Sequence, residues 1–145
     1  KNNIPVILMH MQGTPKSMQK NPFYHNVIDE ISMFFKQQVK KLDKKGFPLS
    51  KIILDPGIGF GKNLQHNLKI LKNIDIICNL GCHTLIGTSR KSFIGDLLKC
   101  PPEKRLEGTI SSNLYAIIRG VKIIRVHDVF EMRKALTILE KILKA

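Results

Sequence analysis

The stretch Lys51-Ile52-Ile53-Leu54-Asp55-Pro56-Gly57-Ile58-Gly59-Phe60-Gly61-Lys62-Asn63 decides the fold class. An apolar run of strand length ends on a carboxylate, passes into a glycine-rich turn, and reaches an Asn placed to cap a helix. That helix carries Leu64, Leu68, Ile70 and Leu71 on one face. A strand apolar on both faces, followed at once by a helix, is the unit of a parallel sheet with covered faces.

The unit recurs on both sides. Upstream, Ile4 to His10 reads as a buried strand, and a polar loop from Gln12 to about Pro22 is broken by Gly13 and Pro15. A helix is then predicted from Tyr24 to Lys45, with Val27, Ile28, Ile31, Phe34, Phe35, Val39 and Leu42 at helical spacing and Gly46 at its C-terminal cap. Downstream, a short helical turn from Ile74 to Leu80 precedes a third strand, Thr84 to Gly87. A short helix through Phe93 and Leu98 follows, opened by Ser89 or Ser92, and then a longer one from about Glu103 to Arg119. The fourth strand is Lys122 to Val126. Asp128 caps the last helix, whose apolar face is Val129, Met132, Leu136, Leu139 and Leu143.

The pattern is β-α four times over. No GxGxxG follows the first strand, which disfavours a dinucleotide-binding fold. A TIM barrel takes eight such units and about 250 residues, so four units in 145 residues make half of one. The expected class is therefore α/β, four βα units of a (β/α)8 barrel with parallel strands and outer helices. Residues 1–145 are expected to form one partial domain, and the missing initiator Met suggests a piece of something longer.

Composition narrows the function classes. At 43% hydrophobic the chain can bury a core. It has no apolar run of the roughly 20 residues that span a bilayer and no signal-peptide pattern. Cys78, Cys82 and Cys100 form no CxxC pair, which points to buried thiols and a reducing, cytoplasmic setting. The net charge of +13 invites a nucleic-acid reading. The lysines lie along the whole chain with no accompanying nucleic-acid motif, so a solvated surface is favoured and no specific nucleic-acid or membrane partner is expected.

In a barrel the loops after the strands build the site. Here those positions hold Met9-His10, Asp55, Ser89-Arg90-Lys91-Ser92 and Arg125-Val126-His127-Asp128. A carboxylate, an ammonium, a guanidinium and an imidazole at equivalent rim positions point to a shared site rather than to scattered surface charge. Ionised Asp55 accepts two N–H donors from an amidine-like heterocycle edge. Gly57, Gly59 and Gly61 leave room for a flat ligand. Lys91 supplies a mobile point charge, and Arg125 a planar fork for phosphate. His127, two residues on, would share its side. Ser92, near a helix N-terminus, is suited to a carboxylate.

Four segments carry a resemblance: Leu8 to Pro15, Ile53 to Asn63, Gly87-Thr88-Ser89-Arg90-Lys91-Ser92-Phe93-Ile94-Gly95, and Ile124 to Asp128. In order and spacing they resemble the dihydropteroate synthase family, nearly end to end. The resemblance implies the C-terminal half of that barrel. It also implies condensation of 6-hydroxymethyl-7,8-dihydropterin diphosphate with 4-aminobenzoate, diphosphate leaving and Mg²⁺ assisting. Asp55 and Lys91 match pterin ligands, and Arg125 and His127 match diphosphate ligands. Phe60, Arg90 and Ser92 match the aminobenzoate side, where sulfonamides also bind, and Met9 lies against the pterin face. Gly59 and Gly87 complete the substrate-binding set, with Lys91, Arg125 and His127 as the catalytic group. The metal ligand is expected outside this chain, in the absent first half of the barrel. A homodimer is expected for the complete enzyme, and the isolated chain is expected to be inactive. The competing readings are a related pterin-dependent methyltransferase, a non-catalytic half-barrel that self-associates, and a polyanion-binding module.

Overall fold

The computed structural model describes residues 4–14, 16–18 and 20–145. Lys1, Asn2, Asn3, Pro15 and Gln19 lie outside the described residues, so the expected break at Pro15 does too. Four strands alternate with helices: β1 (Val6–Met9), α1 (Val27–Asp43), β2 (Ile52–Asp55), α2 (Leu64–Lys72), α3 (Ile74–Cys78), β3 (His83–Ile86), α4 (Ser92–Leu98), α5 (Leu106–Ile118), β4 (Ile123–Ile124) and α6 (Val129–Ile142). Single 3-10 turns precede β2 and α5. The strands pair in parallel, in chain order β1-β2-β3-β4.

Alternation along each strand sorts the side chains. Ile52 and Leu54 of β2 and Ile86 of β3 are fully buried, packed in a core with Ile31 and Phe35 of α1, Ile70 of α2, and Ile74 and Ile77 of α3. Burying each such side chain is worth about 1.5–3 kcal/mol. The alternate residues face the other way, toward what would be the barrel interior. Register places Ile7 beside Ile53, and Met9 beside Asp55.

Local chemistry explains the helix ends. Asn26 caps α1 by accepting from Ile28 and Asp29. Asn63 caps α2 as expected, its side chain accepting from His66 N–H at 2.9 Å while His66 Nδ1 accepts from Asn63 N–H. Gly46, at φ +73°, closes α1 in the left-handed conformation.

Several expectations are corrected. β1 is not a buried strand: Ile7 is 55% and Met9 38% exposed, because β1 is a sheet edge and nothing among the described residues packs on its inner face. The long helix starts at Leu106, not Glu103, since Pro102 to Lys104 form a 3-10 turn. α1 begins at Val27 and ends at Asp43, three residues after and two before the expected bounds. β4 is cut to Ile123–Ile124. On α6, Met132 and Leu139 are buried, but Val129 and Leu143 are exposed, as are Phe130, Ile138 and Ile142. Asp128 makes no side-chain cap to α6, because its carboxylate is taken by Arg90. Of the three free cysteines only Cys82 is buried, and Cys78 and Cys100 are half-buried.

Candidate active site

The rim is built on the close approach of two chain segments. After β2 the chain turns at Gly57, φ +68°, so tightly that a Cβ there would lie 2.0 Å from the His10 carbonyl oxygen at the end of β1. Only glycine fits. The turn brings Gly57 N–H onto Asp55 Oδ1 at 2.8 Å, while the Asp55 carbonyl accepts from His10 N–H at 2.9 Å. Asp55 is 7% exposed. Burial pushes its carboxyl above the ordinary value, while the Gly57 N–H and the charges of Arg125, Lys91 and Lys62 pull it back.

A cleft of about 350 Å³ is lined by Phe60, Gly87, Ser89, Lys91, Arg125 and His127. Lys91 arrives from the β3–α4 loop. Its stem crosses Gly59, where a Cβ would sit 3.3 Å from Lys91 Cδ. Its Nζ lies 4.1 Å from the centre of the Phe60 ring. Burial, then the neighbouring Arg125 charge, lowers the Lys91 ammonium below its usual value. Arg125 follows β4, tied by its N–H to the Ile86 carbonyl at 2.9 Å, and its guanidinium lies against Gly87. His127 is held by Ser89, whose Oγ is 2.8 Å from ring Nδ1 and 3.1 Å from the backbone N.

The structure thus brings Gly59, Phe60, Gly87, Lys91, Arg125 and His127 together, with Met9 on the same sheet face as Asp55. Five expected residues are not part of the cleft lining: Asp55, Met9 and Gly59, which adjoin it, and Arg90 and Ser92. Arg90, at φ +55°, turns its guanidinium onto the Asp128 carboxylate in a two-pronged pair that joins the β3–α4 and β4–α6 loops. This hydrogen-bonded pair holds the Asp128 carboxyl below its usual value. Ser92 is the exposed first residue of α4, behind an N-cap position filled by Lys91.

Three contributors escaped the sequence reading. Ser89 orients His127. Asn67 accepts from Gly59 N–H at 2.8 Å and donates to the Asn63 carbonyl at 2.9 Å, bracing the glycine loop. Lys62 is 3% exposed and bridges the His10 and Phe60 carbonyls. Its place directly after the glycine turn was the available signal, and it reads as a surface lysine.

Among the described residues no group of three His, Cys, Asp or Glu is placed to hold a metal ion. At the rim Asp55 is surrounded by cations and Asp128 is occupied by Arg90. This donor set does not fit Mg²⁺, which takes several oxygen ligands in near-octahedral geometry. No helix among the described residues is long and apolar enough to cross a membrane.

Asp55, acted on by the charges of Arg125, Lys91 and Lys62, stands at the strand ends of four parallel βα units. Comparison with known proteins specifies the class. Residues 1–127 match the family described as pterin binding enzyme, and the chain belongs to it. It is 42% identical over all 145 residues to the dihydropteroate synthase of Escherichia coli strain K12, covering 51% of that protein. It superposes on the Yersinia pestis dihydropteroate synthase in complex with a sulfonamide drug with a TM-score of 0.93 and 42% identity, covering 97% of this chain and 51% of that one. The Xanthomonas albilineans dihydropteroate synthase with 4-aminobenzoic acid gives a TM-score of 0.89 at 34% identity, covering 97% and 50%. The chain spans about half the length of these relatives, and its four parallel strands with outer helices are half of their barrel.

Proposed function

We propose that this chain forms one half of the active site of a dihydropteroate synthase. The reaction joins 6-hydroxymethyl-7,8-dihydropterin diphosphate to 4-aminobenzoate, with loss of diphosphate. The observation that supports it best is the placement of Asp55, Lys91, Arg125 and His127 around one rim, on the ends of three different strands. Asp55 takes the N–H donors of the pterin edge, with Met9 beside it against the ring. Lys91 meets the ring carbonyl. Arg125 and His127 face the diphosphate and stabilise the charge that develops on its oxygens as the C–O bond breaks. The aminobenzoate amine then attacks the methylene carbon, with Phe60 as the apolar wall of that side and Arg90 and Ser92 beside it.

The reading takes residues 1–145 as one partial pterin-binding domain of a cytoplasmic, homodimeric enzyme. It leaves Mg²⁺ to ligands outside these residues, and no step here runs through the metal. The isolated chain lacks half the site and is inactive in this reading. Calorimetric titration with the pterin diphosphate, with the other barrel half supplied, tests it: binding that is lost in Asp55→Asn and in Arg125→Ala supports the assignment, and binding indifferent to both removes it. A second reading, a non-catalytic half-barrel that self-associates, draws on the exposed Ile7, Ile118, Phe130 and Ile138.

A further inference from the structure

Lys62 is a buried ammonium with no carboxylate among its hydrogen-bond partners in the described residues. Nζ donates to the Phe60 carbonyl at 2.9 Å and to the His10 carbonyl at 3.3 Å, and lies 3.2 Å from His10 Nδ1. Its partners belong to the two segments that meet at Gly57, the end of β1 and the glycine loop after β2. A lysine is costly to bury, and an apolar residue of similar length would fill the space without that cost. The cost is intelligible if the charge is used.

Its neighbours show where. Facing Lys62 are His10 from the end of β1, Asp55 from β2, Tyr24 from the segment before α1, His66 from α2, and Lys91 from the β3–α4 loop. Asp55 is the acidic group among them, and it is buried. We infer that Lys62 is a positioning residue for Asp55: it fastens the end of β1 to the glycine loop and supplies, from below, positive charge that keeps the buried carboxylate ready to accept a pterin edge from above.

This inference rests on the pterin reading of Asp55 for its purpose, but not for its test. Burial brings Lys62 down to about 7, with the Lys91 charge acting the same way and Asp55 opposing, so the charge is one that neutral solution can remove. The Lys62 charge is present below that value and fades above it, so support for Asp55 weakens as pH rises through about 7.

The experiment uses the full 145-residue chain as wild type, Lys62→Met and Lys62→Arg. Two quantities are read: the Asp55 carboxyl titration by carbon NMR, and affinity for 6-hydroxymethylpterin against pH. Lys62→Met is expected to move the Asp55 midpoint upward and to weaken pterin binding about tenfold, as loss of a charge-assisted support would. Lys62→Arg, which keeps the charge, is expected to recover most of both. An unchanged Asp55 titration in Lys62→Met overturns the inference. If Lys62→Met does not fold, the wild type decides: the Asp55 signal must respond as the Lys62 Cε signal titrates, and silence there overturns it equally. The Asp55 titration decides the role of Lys62 whether or not this half-site binds pterin by itself, and pterin binding indifferent to Asp55→Asn once the other barrel half is supplied is what would sink the functional reading instead.

Discussion

Ser89 Oγ accepts the backbone N–H of His127 at 3.1 Å and meets its ring Nδ1 at 2.8 Å. Whichever atom donates in that contact, Nδ1 is engaged by Ser89 and the ring's other nitrogen is Nε2. That nitrogen is the one left for an anion in the cleft. Ser89→Ala should leave the fold intact and weaken pterin-diphosphate binding by about 1 kcal/mol, the net worth of one such hydrogen bond. Calorimetry checks it, and an unchanged affinity would separate Ser89 from anion binding.

Asp55→Asn replaces an acceptor-only group with one that also donates. In a complete enzyme the loss of a charge-assisted, two-pronged contact should cost on the order of 2–4 kcal/mol of pterin affinity. Because Asp55 is buried under the Gly57 turn, the isosteric Asn should retain the local structure. A pterin affinity equal to wild type would remove Asp55 from the site.

Arg125 is exposed at the mouth, against Gly87. Arg125→Ala in a complete enzyme should weaken binding of the pterin diphosphate far more than binding of the same pterin without phosphates. Equal losses for the two ligands would place Arg125 elsewhere.

The four polar residues expected from the sequence were legible because each follows an apolar strand run, and a strand's end is a fixed place in a parallel barrel. Lys62 was not, since a lysine in a loop is ordinarily solvated and only the close contact at Gly57 buries this one. Arg90 shows the converse. Its position in the motif was clear, but its Asp128 partner lies 38 residues away, beyond any local pattern. The exposure of Ile7 and Val129 was equally invisible, because an apolar run reports what a face prefers, not whether anything covers it.

His10 gives a prediction in pH. Burial, then the charge of Lys62, lowers its imidazolium from 6.5 to about 4. Between those values the unfolded chain holds a proton that the folded chain does not, so stability falls as pH drops from 6.5 toward 4. The loss is on the order of 3 kcal/mol when complete. Urea midpoints at pH 7 and 4.5 measure it. His10→Gln should reduce that difference, and a difference of the same size in the variant would show that other groups carry it.

The central claim is that this chain supplies one half of a dihydropteroate synthase site and needs the other half to act. The most direct measurement is dihydropteroate formation with Mg²⁺, pterin diphosphate and 4-aminobenzoate by the purified chain, its mass followed by light scattering. The assay is run alone and with the remaining barrel half of the Escherichia coli relative added in trans. The account predicts no turnover by the chain alone, and product once the exposed inner face around Ile7 and Met9 is covered by the added half. A stable monomer of the 145-residue chain that turns over both substrates at an ordinary rate would contradict it.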